Sequence, residues 1–164
     1  MNDKIKNQML LNSESYQFFL NETRKAERKF FKYSALCGIE MERVSEDFEE
    51  QTANGLFEKD INLHRINLNI FSEAINQGKK FITSSNKFVT ELQMMRKLSV
   101  NVMDDALDFG NERVDFLEKY IESIDKSIEM QDTVSELISN EIEMLQGVVD
   151  SNPFRDDEDG DNTL

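Results

Sequence analysis

From Tyr16 onward, apolar side chains return at intervals of three and four: Tyr16, Phe19, Leu20, Thr23, Ala26, Phe30, Tyr33, Cys37, Met41, Val44 and Phe48. This is the period of an α-helix, and it gathers those side chains onto one stripe. Ser13 and Ser15 are candidate caps for its start. The pattern therefore predicts a flexible stretch over 1–12 and a first helix over 13–51. The run Gln51-Thr52-Ala53-Asn54-Gly55 should end that helix, because Asn and Gly accept the left-handed backbone that stops helices. The next stripe, Phe57, Ile61, His64, Leu68, Phe71 and Ile75, does not continue the earlier register. A helix resuming near residue 56 would fold back on the first if the turn is tight.

The middle of the chain reads less clearly. Asn76-Gln77-Gly78-Lys79-Lys80 and Thr83-Ser84-Ser85-Asn86 are poor helix formers, and glycine inside a helix costs about 1 kcal/mol relative to alanine. Either a kink or loop falls within 76–87, or the helix runs through, since Phe71, Ile75, Ile82 and Val89 stay in phase. From Val100 a heptad repeat emerges. Its a positions are Val100, Leu107, Val114, Ile121, Ile128, Ser135, Ile142 and Val149; its d positions are Met103, Gly110, Leu117, Ile124, Gln131, Ile138 and Leu145. Twelve of these fifteen positions are apolar, and a repeat sustained for more than three or four heptads predicts a coiled coil. Asp108-Phe109-Gly110-Asn111 offers a second turn over 108–111. The favoured reading is nevertheless an unbroken rod over 87–149, within a long helical region over 56–149. Residues 150–164 are acidic, hold few large apolar side chains, and are expected to be disordered.

Charge and composition narrow the function classes. There are 19 Lys+Arg against 33 Asp+Glu, for a formal net charge of −14. Residues 1–36 carry seven basic and four acidic side chains, and residues 37–164 carry twelve and twenty-nine. The acidic part would be repelled by nucleic acid, whose binding rests on neutralising phosphates. The basic cluster Arg24, Lys25, Arg28, Lys29 and Lys32 is a solvated helix face, with anionic-surface contact as a weaker alternative. One cysteine cannot build a disulfide framework, and Cys37 with His64 supplies too few ligands for a zinc site. The run Met9-Leu10-Leu11 is too short for a secretory signal, which needs about 7–15 apolar residues, and no segment reaches the ~18 needed to span a bilayer. The expectation is a cytoplasmic protein without a transmembrane segment, with signal-less secretion left open.

Catalytic chemistry finds little support. His64 and Cys37 lie on apolar stripes, where interface or core roles outweigh a general base or nucleophile. There is no Glu-x-x-His pair for a di-iron bundle, and the acidic tail fails the spacing of a calcium loop. No metal, cofactor or catalytic residue is therefore expected. Gln131 and Ser135, adjacent polar layers in an apolar repeat, are candidates for fixing register or partner choice. A Gln at d between apolar layers resembles the central layer of membrane-fusion SNARE helices, although the repeat continues for only five further layers. Asn152-Pro153-Phe154, followed by four acidic residues within Asp156–Asp159, resembles the ligand of EH domains in trafficking proteins. That resemblance implies a tight turn inserting Phe154 into a pocket. Phe18, Phe31 and Phe116 fall off or beside the main stripes, where they widen the packing face or mark a partner surface.

The chain is thus expected to be all-α: long amphipathic helices in a hairpin or bundle, a C-terminal heptad coiled coil, and a disordered acidic tail. The interface between chains is expected at Val100, Met103, Leu107, Val114, Leu117, Ile121, Ile124, Ile128, Gln131, Ser135, Ile138, Ile142, Leu145 and Val149, giving a homodimer or a helical hetero-oligomer. The expected role is that of a non-enzymatic adaptor, scaffold or assembly subunit. The alternatives are a chaperone-like partner of a helical protein, or a trafficking adaptor using Asn152, Pro153 and Phe154.

Overall fold

The computed structural model describes residues 3–55, 66–106 and 111–151. All regular structure among them is α-helical, in three long elements: α1 (Asp3–Ala53), α2 (Leu68–Ala106) and α3 (Asn111–Asp150). The helix expected over 13–51 begins at Asp3, so residues 3–12, expected to be flexible, form its first turns. Of the two readings left open over 76–87, the structure takes the continuous helix, within α2.

The far end of α1 stands at the Asn-Gly pair. Asn54 N–H donates to the Glu50 carbonyl at 3.0 Å, Gly55 N–H to that of Thr52 at 3.0 Å, and Gly55 takes a φ of 82°. An L-residue with a side chain pays a steric penalty in that conformation, and glycine does not.

The chain packs as two compact units, one of Met1–Ala26 with Lys80–Ile138 and the other of Glu27–Lys79 with Ser139–Leu164. All three helices contribute to each. In the first unit, Phe88 and Leu92 of α2 and Ile124 of α3 form a buried cluster, with Tyr16, Phe19, Leu20, Met95, Tyr120 and Ile128 against it. Tyr16 of α1 meets Phe88 with ring centroids 5.2 Å apart. Ser85 bonds to residues 131 and 135, whereas Arg96, further along α2, bonds to Asp125. The helices α2 and α3 therefore run antiparallel. The unbroken rod expected over 87–149 does not form: α2 ends at Ala106, α3 begins at Asn111 and runs back along it, which covers an apolar face. The turn expected over 108–111 falls largely outside the described residues.

In the second unit, Phe30, Phe71 and Ala74 are fully buried, with Cys37, Ile75 and Leu145. Gly78 lies against side chains of both other helices. A Cβ built there would sit 2.7 Å from Ile142 Cδ1, 2.8 Å from Ile142 Cγ1 and 3.1 Å from Phe30 Cδ2. The residue that looked like a helix weakness is one that lets α1 and α3 close on α2.

Glu40 ties α1 to the start of α2 in this unit. Its carboxylate pairs with Arg43 and accepts the Asn67 N–H at 3.1 Å, while Arg43 also reaches Asp47 at 2.9 Å. The hydrogen bond from Arg43, and secondarily that from Asn67, hold the Glu40 carboxyl below its usual range against an opposing effect of burial. A carboxylate whose folded pKa is depressed contributes stability above its unfolded value, about 4.3, and loses it as pH falls. Thermal melts below pH 5 should therefore show a shallower acid-induced loss of stability in Glu40→Gln than in the parent. Parallel pH profiles for the two proteins would contradict this.

Candidate interaction surface

The described residues of α3 read as a and d positions differ in how far they are buried. Ile121, Ile124, Ile138 and Leu145 are buried, and Val114, Leu117, Ile128, Gln131, Ser135, Ile142 and Val149 are half-buried. Val100 and Met103 are half-buried on α2. These side chains are wholly or partly covered within the single chain, where α1 and α2 supply the surface opposite those of α3. Leu107, Gly110, His64, and Asn152, Pro153 and Phe154 lie outside the described residues.

Gln131 and Ser135 have a partner that the sequence did not reveal. Ser85, buried on α2, has its Oγ 3.0 Å from Gln131 Oε1 and 3.1 Å from Ser135 Oγ. A serine hydroxyl has one proton to give and can accept in return. The consistent arrangement is Ser135 O–H to Ser85, and Ser85 O–H to Gln131. The layer is thus satisfied within the first unit. Thr23 Oγ1 is different, being buried without a hydrogen-bond partner.

Cys37 belongs to the second unit and is buried there. Burial, followed by the negative charge of Glu141, pushes its thiol up to about 11, and Glu141 itself accepts a bond from Ser34. A thiol so far from ionising is a poor nucleophile. Among the described residues, no group of three or more His, Cys, Asp and Glu side chains is arranged to hold a metal ion. No described helix is long and apolar enough to cross a membrane.

What remains is surface, and one part of it is organised. In the first unit, α3 exposes Phe116, Met130 and Leu137 at 70%, 66% and 63%. These are c positions of the heptad, a column completed in this unit by Ser123. Each is preceded by an acidic residue, giving Asp115-Phe116, Glu122-Ser123, Glu129-Met130 and Glu136-Leu137. An apolar column and an acidic column therefore run side by side along the outer face of α3, repeating every seven residues. Phe116 stacks on Tyr120, with centroids 6.5 Å apart and planes 4° from parallel. Burial, then the neighbouring Tyr16, raises the Tyr120 hydroxyl above its ordinary range. In the second unit, the stretch of α3 carries the doublet once more, Glu143-Met144, with Met144 exposed.

The sequence reading followed the strongest repeat, at a and d; it grouped Phe116 with Phe18 and Phe31 as side chains that widen the packing face or mark a partner surface, and did not connect it with Met130 and Leu137. The signal that would have found it is the acidic–apolar doublet at a spacing of seven. The exposed basic residues Arg24, Lys25, Arg28, Lys29 and Lys32 do form a solvated face of α1. Phe18 and Phe31 are exposed as well, so neither widens the core. Met41, read as part of the inward stripe of α1, is also exposed.

Compared with protein-family models, curated proteins and solved structures, the chain matches none.

Proposed function

We propose that this chain is a non-enzymatic helical interaction protein, an adaptor, scaffold or assembly subunit that binds other helices along the outer face of α3. The observation that carries this reading is the exposed column Phe116, Met130 and Leu137 beside its acidic neighbours. Scattered exposed apolar residues are ordinary, but large apolar side chains repeated on one helix face with an acidic border mark a surface that meets a partner. Helix-in-groove recognition reads anchors at helical spacing, and the acidic column favours a partner helix edged with Lys or Arg.

The test is titration of a fluorescent, lysine-bordered amphipathic peptide, with anisotropy as the readout. Leu137→Glu, at an exposed position, should leave the melting temperature almost unchanged, within about 0.5 kcal/mol. It should weaken peptide binding by tenfold or more. Equal binding by parent and variant would overturn the reading.

A second reading, a chaperone-like partner of a helical protein, draws on the exposed methionines Met94, Met130 and Met144. Flexible, polarisable methionine surfaces adapt to several partners. It is favoured if peptides with different apolar spacings bind with similar affinity.

A further inference from the structure

We infer that the outer face of α3 docks a second copy of this chain, through the exposed basic face of that copy's α1. This deepens the reading of α3 as a docking surface and rests on it. The two faces are complementary in charge. From Ser127 to Asp150 α3 carries six acidic side chains and no basic one, and in the first unit Glu129 and Glu136 flank the exposed Met130 and Leu137. In the second unit, α1 exposes Arg28, Lys29 and Lys32, interleaved with Phe31 and Ile39, which are 50% and 61% exposed.

Arg28, Phe31, Lys32, Ala35 and Ile39 stand at offsets of 0, 3, 4, 7 and 11, so they share one helical face. Among the described residues, none of Arg28, Lys29, Lys32, Glu129 and Glu136 forms an ion pair. Lys32 lies over the Tyr33 ring, 5.8 Å from its centroid, and no described carboxylate of its own chain pairs with any of the three basic groups. The apolar anchors also match in spacing. At 1.5 Å per residue, Phe31 and Ile39 are about 12 Å apart along the axis and Met130 and Leu137 about 10 Å.

An α3-to-α3 contact would instead set two acidic columns close together, and like charges facing each other are unfavourable. The contact inferred here is heterologous: each copy offers one face and uses the other. Such contacts give rings if the rotation closes and open chains if it does not.

The experiment is sedimentation velocity on the full chain over a range of concentrations, at low and high salt. The parent should grow in mass with concentration, and less so at high salt. One variant, Met130→Glu with Leu137→Glu, disables the α3 face; another, Arg28→Glu with Lys32→Glu, disables the α1 face. Each alone should be monomeric with an unchanged helical circular dichroism spectrum. Mixed in equal amounts, they should form a one-to-one dimer and nothing larger, because one good face of each kind remains. Gln in place of Glu at all four positions gives a milder set if the charged variants fold poorly, with the same expected pattern.

A parent that stays monomeric, a mixture that stays monomeric, or a variant that associates like the parent would overturn the inference. The peptide titration separates the two ideas. A monomeric parent that still binds the basic peptide removes self-docking and leaves the interaction surface standing. A parent that does neither removes both.

Discussion

Replacing Gly78 by valine should lower the unfolding free energy by about 1–3 kcal/mol, the usual cost of forcing extra methyl groups into a packed core. In a domain of this size each kcal/mol moves the melting temperature by roughly 2–4 °C. The substitution gains helix propensity, since glycine is about 1 kcal/mol worse than alanine within a helix. Against this stands geometry: even the first added carbon lies 2.7 Å from Ile142 Cδ1 and 2.8 Å from Cγ1. Cγ1 is not the free end of the side chain, so rotating the terminal methyl does not relieve the crowding. Ile142→Ala alone should cost about 2–5 kcal/mol as a truncation in a packed site. The double variant should be less destabilised than the sum of the two, with a coupling of at least 0.5 kcal/mol. Denaturant titrations of the four proteins measure it. Strict additivity would show that Gly78 and Ile142 do not meet.

The second large effect belongs to the polar layer of the first unit. Ser85→Ala removes the group that bonds Gln131 and Ser135, and a buried polar atom left without its partner costs about 1–3 kcal/mol. Replacing all three, as Ser85→Ala with Gln131→Leu and Ser135→Ala, removes the need for that bonding and should restore stability to the parent level or above. What the triple variant should lose is a device for choosing one alignment of α2 against α3. Added heterogeneity in its amide spectra would report that loss. A triple variant no more stable than Ser85→Ala alone would show that the layer is not an isolated network.

These positions also explain how much of the fold was legible in the sequence. The inward face of α3 followed directly from its repeat, because a seven-residue rhythm of branched apolar residues has few other uses. The inward face of α2 was legible only in part, through Phe71 and Ile75. Its buried positions include Phe71, Ala74, Gly78, Phe81, Ser85, Phe88 and Leu92, at intervals of three and four, and Ser99 seven residues further on. Half of them are small or polar residues that an apolar pattern passes over. Gly78 and Ser85 were weighed as helix breakers, when their propensity cost of about a kcal/mol is readily overcome by tertiary packing. Their small size is what brings the helices together. The partner of Gln131 could not be read from sequence, since Ser85 lies 46 residues away and its relevance depends on α2 folding back. The surface column on α3 was legible in principle, but it needed a second repeat to be sought on a helix that had already yielded one.

The buried thiol of Cys37 has a use for anyone following the protein in solution. With its ionisation pushed up to about 11 and its surface covered, it is chemically silent towards thiol reagents near neutral pH while the second unit is closed. Any labelling at that pH therefore counts openings of the helices around it, so the chain carries its own clock for how often that unit breathes.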